Sequence, residues 1–367
     1  MAAPPVSQRC CEAGHSRSHE MSTLLAPSRI RDAELAAKVE LLLQPVSYLE
    51  PTRGVDAIET HMSWVFLTDL YAYKLKKPIR LAFLDFSTLE RRMHYCEEEI
   101  RLNRRLAPAV YIGTVPITMG TFGKISIGGA GPAVDWLVKM HRLPANRMLD
   151  QAIQSGTVST EDIDQLARRL AVFYRAARPV AMKPVEYRRR FETWVAENLG
   201  ELTHCEPILP AAAVERVHSI QLGMLREMPE FFDNRVANHR IVEAHGDLRP
   251  EHVCLGPEPE VIDCLEFNRE FRLLDPVDEL AFFALECEML GAPEIGNRVL
   301  DRYRRDANDD PPPRLLNFYK SYRACLRTKI AVWHLREPDG RDAAKWPALA
   351  QRYLALAEAY AERMAQG

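Results

Sequence analysis

The sequence predicts an α+β fold in which a small β-rich lobe precedes a larger, mostly helical one. Three observations predict it. Several short runs between residues 55 and 140 carry the apolar alternation of half-buried strands. One strong helical pattern, at 87–108, interrupts them. From residue 160 onward apolar positions recur at steps of three and four, broken only by short extended runs within 241–267. The joint falls near 140–145, giving a first lobe over 29–140 and a second over 141–367.

Each element has its own justification. Residues 1–28 lack the apolar core of a signal peptide and read as a disordered leader, in which Cys10, Cys11, His15 and His19 are not taken as a metal site. "RIRDAELAAKVELLLQP" begins a helical stretch over 29–50. "VDAIET", "SWVFLTD" and "YAYKLKKP" read as strands. The helix at 87–108 has Ser87 as its cap and Pro108 as its stop. "VYIGTVPITM", "GKISIGG" and "AVDWLVKM" resume the strands. Residues 160–178, 186–200 and 212–228 are helical, and helices dominate again from 276 on, interrupted by "DDPPPR".

Composition narrows the functions. The chain has 367 residues, a net charge of -3 and 27% charged residues, which gives no support for a nucleic-acid partner. No apolar run is long enough to cross a bilayer, so no membrane partner is expected. None of the eight cysteines forms a C-x-x-C pair, and most lie in apolar surroundings as reduced core thiols. A cytoplasmic location is the expectation. Nothing in the pattern sets the oligomeric state.

Chemistry concentrates in "HGDLRPEHVCL" (245–255) and "EVIDCLEF" (260–267), which place Asp247 and Asp263 beside two short apolar runs. A carboxylate at the end of a strand can take a proton or hold a cation. The order along the chain adds weight: a lysine strand, a glutamate-rich helix, a His-x-Asp loop, then an apolar-Asp strand. That order resembles the protein-kinase-like fold, and within it the aminoglycoside phosphotransferase family. "HGDLRPEHVCL" resembles the family's catalytic loop, H-G-D-L-x-x-x-N. "VIDCLEF" resembles its metal-binding strand, "RLLDPVDELAFF" (272–283) its Asp-Pro-x-x-Asp-Leu-Ala segment, and "AYKLKKP" its lysine strand. The likeness covers roughly 50–335. The stretch from "HMSWVFLTDLYAYKLKKP" to "RLNRRLAP" looks like an uncharacterised bacterial group of this family that has no secure substrate.

The resemblance implies a bilobal kinase-like fold and an ATP-dependent phosphotransferase acting on a hydroxyl of a small molecule, with Mg²⁺, or Mn²⁺, as the ion. Asp247 would orient the acceptor's hydroxyl proton, and His245 would brace the catalytic loop. Asp263 would hold the metal, with Glu266 as a further acidic group there. Lys74 is the preferred phosphate clamp; Lys76, on the same strand face, is its competitor. Of Glu97, Glu98 and Glu99, helical spacing puts Glu99 inward with Cys96, Leu102 and Leu106, so Glu99 is the partner expected for the lysine, with Glu98 as the alternative. Lys139–Arg142 would form the hinge, with Met140 lining the base pocket. Asp275 and Asp278 read as structural caps. Tyr322, Arg323, Arg327 and Lys329 read as a solvated basic face, as does most of "EYRRRFETW".

Two departures stand out. His252 occupies the position of the family's Asn, and an imidazole suits manganese or zinc better than magnesium. No G-x-G-x-x-G joins the first strands; "ETHMSW" stands there, where Ser63, Thr60 and His61 could contact phosphate or simply form a turn. Two rival functions follow. One is a nucleotide-binding pseudokinase. The other is a metal-dependent hydrolase built on His245, Asp247, His252 and Asp263.

Overall fold

The computed structural model describes residues 34–366 except 206 and 336–343. The leader and its cysteines and histidines lie outside the described residues. The chain divides into two compact units, one of residues up to 97 with 112–142, the other of 98–111 with 143 onward.

In the first unit, α1 (34–43) precedes β1 (Asp56–Glu59), β2 (Ser63–Leu67) and β3 (Tyr71–Lys76). A small hairpin, β4 (Arg80–Leu81) and β5 (Leu84–Asp85), leads into α2 (Leu89–Asn103), followed by β6 (Tyr111–Met119), β7 (Ile125–Ile127) and β8 (Ala133–His141). The main sheet has the order β1-β2-β3-β8-β6-β7. Alternation divides its faces. Tyr73 and Leu75 of β3 enter a core with Leu42, Phe66, Ile117 and Leu137. Ala72, Lys74 and Lys76 therefore share the opposite face. On the neighbouring strand Ala72 pairs with Met140 and Lys74 with Val138. Buried Asp135 of β8 receives Lys38 of α1 and Arg92 of α2, both at 2.7 Å. One buried carboxylate thus pins both helices to the sheet. The α2 cap is Thr88, whose hydroxyl accepts from the Arg91 N–H at 3.3 Å. Ser87, expected there, instead donates to Asp85, which also accepts its backbone N–H. The sequence offered two adjacent hydroxyls, and the β5 carboxylate takes the first.

The second unit is helical: α3 (Leu149–Gln154), α4 (Thr160–Ala176), α5 (Pro184–Leu202), α6 (Ala211–Glu227), α7 (Glu230–Ala237), α8 (Pro276–Met289), α9 (Pro293–Ala307), α10 (Pro313–Leu335) and α11 (Lys345–Gln366). Between α7 and α8 lie two-residue strands, β9 (Val242–Glu243) paired with β12 (Leu273–Leu274), and β10 (Val253–Cys254) paired with β11 (Glu260–Val261). Helix α4 starts with a Ser159–Asp162 capping box. Helix α8 is buried along almost its whole length. Asp275 caps it by accepting from the Val277 N–H, and Arg235 of α7 grips Asp275 with one edge and Asp309 with the other.

Helix α10 corrects an expectation. Tyr322, Arg323 and Lys329 are buried rather than solvated. Arg323 makes two 2.7 Å bonds to Asp278, and Lys320 reaches the Tyr360 hydroxyl. Asp278 is accordingly a buried ion-pair partner, while Asp275 alone caps. "EYRRRFETW" likewise turns Tyr187 and Phe191 into the core.

Candidate active site

Asp247 and Asp263 lie in the second unit, on loops that leave β9 and β11. The first loop is fixed by Glu279 of α8. Its carboxylate accepts the backbone N–H of His245 at 3.1 Å, that of Gly246 at 2.5 Å and the Tyr174 hydroxyl at 2.7 Å. Gly246 has φ +93, and a Cβ there would lie 3.1 Å from both Arg272 and Leu265, so glycine is required. His245 is a brace. Its Nε2–H donates to the Ile262 carbonyl at 2.9 Å, and its Nδ1 accepts the Asp247 N–H at 3.3 Å. Burial, reinforced by neighbouring His252, depresses its pKa to about 3. An imidazole so held stays neutral and ties the two aspartate loops together.

Asp263 is held in an uncommon conformation, with φ 60. The surrounding chain over-determines it. Four successive N–H groups are each fixed by a different partner. Ile262 donates to the His252 carbonyl at 2.9 Å, Asp263 to the Tyr111 hydroxyl at 3.1 Å, Cys264 to Asn103 Oδ1 at 2.8 Å, and Leu265 to the His245 carbonyl at 3.1 Å. Arg105 adds bonds to the Glu243 and Ala244 carbonyls at 2.7 and 2.9 Å. The residues just after the α2 core, though in sequence far from the loops, are their scaffold.

Asp247 is partly exposed. Burial raises its pKa, but Arg249, His252 and Arg327 together more than offset this and hold it below the usual carboxylate range. Arg249 donates to Oδ2 through Nε and lies 3.1 Å away through Nη2. No described residue hydrogen-bonds Oδ1, so that oxygen is left for an incoming hydroxyl.

His252 lies between the aspartates. Its Nδ1 is 2.8 Å from the Asp247 carbonyl, which can only accept, so Nδ1 carries the proton. Nε2 then presents a lone pair, which accepts from Arg249 at 3.1 Å and lies 3.6 Å from Asp263 Oδ2. A lone pair and a carboxylate oxygen at that separation repel unless they share a cation. The backbone-anchored tautomer is also that of a metal-ligating histidine. The donor set therefore fits a divalent ion. Among the described residues no three His, Cys, Asp or Glu side chains gather as a metal shell. Such an ion would thus have two protein ligands. Glu266 is buried, and its carbonyl accepts from Arg272.

In the first unit Lys76, the expected competitor, is fully buried, with its ammonium 5.0 Å from the Phe86 ring centre, whereas Lys74 is half-buried. In the second unit Glu99 is fully buried; Glu98 pairs with Arg101, and Glu97 is exposed. Thr60 and Ser63 use their N–H groups on each other to close the β1–β2 turn. Met140 is buried beside Ala72, and Lys139 pairs with Glu50 on the other face. Sequence reasoning missed Glu279, Arg249, Asn103, Tyr111 and Arg105. Only Arg249, inside the loop motif, carried a local signal. A groove of about 1130 Å³, lined by Arg105, Arg169, Phe173 and Glu243 among others, contains neither aspartate. Among the described residues no helix is long and apolar enough to cross a membrane.

No family model matches the chain. It is 31% identical over 283 residues to uncharacterized proteins of Mycobacterium bovis and Mycobacterium tuberculosis, covering 75% of this chain and 54% of each relative. The chain thus spans about half the length of the curated relatives it matches. Among solved structures it is similar to the GDP complex of aminoglycoside 2'-phosphotransferase-IIIa, with TM-score 0.55 and 13% identity over 88% of this chain and 97% of that one. It is similar to a choline/ethanolamine kinase family protein from Mesorhizobium loti, with TM-score 0.53 and 13% identity over 91% and 96%. It is also similar to choline kinase from Cryptosporidium parvum, with TM-score 0.50 and 11% identity over 90% and 97%. The small sheet-bearing unit, the helical unit and the two aspartate loops together make this chain an α+β protein of protein-kinase-like fold.

Proposed function

We propose that the protein is a phosphotransferase that moves the γ-phosphoryl group of ATP to a hydroxyl of a small molecule. The observation that carries this reading is the pair of loops after β9 and β11. One offers an ionised carboxylate with an open oxygen. The other offers a carboxylate and an imidazole lone pair 3.6 Å apart.

Asp247 Oδ1 accepts the acceptor's hydroxyl proton as that oxygen bonds to the γ-phosphorus. The bond from the γ-phosphorus to the β–γ bridging oxygen breaks, and ADP leaves with that electron pair. A divalent cation bound by Asp263 and His252 would supply neutralising charge for the phosphate oxygens. His245 and Glu279 keep Asp247 in place. Lys76, by its burial, and Lys74 are our candidates for binding the nucleotide phosphates, with Glu99 as the fixed carboxylate.

The pseudokinase reading does not account for an Asp247 held ionised with one oxygen open. The hydrolase reading would need more protein ligands than the two found. The test is ADP release from ATP in the presence of Mg²⁺ or Mn²⁺. Loss of release in Asp247→Asn, with nucleotide binding kept, supports transfer. Equal release by Asp247→Asn removes Asp247 from the reaction.

A further inference from the structure

The two sides of Asp247 differ in chemistry. The groups acting on His245, on the metal side, are His252, Asp247 and Asp263. Arg327 is not among them, yet it acts on both Asp247 and Arg249. Arg327 therefore belongs to the other flank, where the acceptor must sit if the phosphates occupy the first.

That flank carries two preset guanidinium groups. Arg249 is oriented by Asp247 and Glu251. Arg327 of α10 is oriented by Glu286 of α8 at 3.2 Å and the Tyr353 hydroxyl of α11 at 3.3 Å. Tyr353 in turn donates to Glu286, its hydroxyl lying 2.8 and 3.0 Å from the two carboxylate oxygens. Three helices thus spend buried polar groups on fixing one arginine, whose side chain keeps 17% exposure. Burial raises the pKa of Glu286, and Arg327 and Arg249 oppose that rise. Its carboxylate is therefore a poor place for an amine to dock. A planar fork held by its own carboxylate and still partly open suits a carboxylate or phosphate.

We infer that the acceptor is an anionic hydroxyl compound, whose carboxylate or phosphate is received by Arg327 with help from Arg249, rather than an amine. This rests on the phosphotransferase reading and narrows it. The fold neighbours named for aminoglycosides, choline and ethanolamine have amine-bearing substrates. The chemistry beside Asp247 here is of the opposite sign.

The experiment is ATP consumption against a library built in matched sets. Each set has an anionic member, a neutral one and an amine: glucuronate and glucose 6-phosphate with glucose and glucosamine, and glycerate with glycerol and ethanolamine, extended across hydroxy acids and phosphate esters. The result expected is turnover confined to anionic members, with the carboxylate and phosphate arms telling the two sources apart. Turnover of a neutral or amine member at an equal or higher kcat/KM overturns the inference. So does turnover of none while Asp247-dependent ATP hydrolysis persists. Absence of that hydrolysis as well defeats the phosphotransferase reading itself. For the acceptor found, Arg327→Gln combined with Glu286→Gln, which leaves no lone buried charge, should raise KM about tenfold or more, with the rise falling on KM rather than kcat. Arg327→Lys, which keeps the charge and the fold, should recover part of the loss. An unaltered KM in the folded double variant removes Arg327 from acceptor binding.

Discussion

Replacing Glu279 with glutamine should loosen the catalytic loop, and the size of the effect can be worked from three bonds. The carboxylate accepts from the His245 and Gly246 amides and from Tyr174, all buried. Glutamine offers one accepting oxygen. If that oxygen keeps His245 and Tyr174, the new NH₂ group faces the Gly246 N–H, donor against donor. A hydrogen bond to a charged acceptor contributes about 1.5–3 kcal/mol, and a buried donor left unsatisfied costs about 1–3 kcal/mol. Burial, which raises the pKa of Glu279, already taxes the native carboxylate and offsets part of this. The expected net loss is about 2–4 kcal/mol, a large share of the ~5–15 kcal/mol typical of a folded chain. Urea denaturation should show a lowered midpoint at constant slope, with ATP turnover reduced in step. A companion Tyr174→Phe, which removes one donor and leaves both amides satisfied, should cost only about 1 kcal/mol. A Glu279→Gln loss below about 0.5 kcal/mol, within the range of ordinary surface changes, would refute the argument that this carboxylate holds the loop.

Three further outcomes follow from the same site. His245 has its pKa depressed to about 3 in the folded chain. The unfolded chain therefore takes up its proton first, near pH 6.5, and stability is lost as pH falls from there towards 3; between pH 7 and 5 the loss should be about 2 kcal/mol, read by denaturation at each pH and absent from His245→Gln. Because Asp263 has φ 60, Asp263→Asn should fold within about 0.5 kcal/mol of the parent, whereas Asp263→Val should lose about 1–3 kcal/mol more; equal thermal midpoints for the two would show that the left-handed backbone carries no strain. Replacing His252 by Asn should move the metal preference of ATP turnover from Mn²⁺ towards Mg²⁺, about tenfold in the ratio of activities, and an unchanged ratio would take His252 out of the metal shell.

What the sequence made legible was local. Asp247, His245 and His252 lie within eight positions of one another, so the loop motif displays them together. The strands and helices, too, are periodic over short windows, and their order emerged as expected. What holds the site was not legible, because its partners are remote. Glu279 meets His245 across 34 positions, and Asn103 meets Cys264 across 161. Nothing near Asn103 or Tyr111 marks either as part of the Asp263 loop. The cations of α10 were misread for the same reason. On a helical wheel Arg323 and Lys320 look like a wet face, and only the approach of Asp278 and Tyr360 makes their burial affordable. Lys76 shows a different limit: strand alternation puts Lys74 and Lys76 on one face but does not say which of them is covered.

The account's central claim is that the two aspartates divide the labour, Asp263 holding the metal-bound nucleotide and Asp247 serving the acceptor. Calorimetric titration of ATP with Mg²⁺ into three proteins, the parent, Asp263→Asn and Asp247→Asn, tests it directly. Affinity should fall by about tenfold or more in Asp263→Asn and stay within about twofold in Asp247→Asn, while turnover disappears from both. Equal loss of affinity in the two variants, or turnover surviving in either, would contradict the assignment.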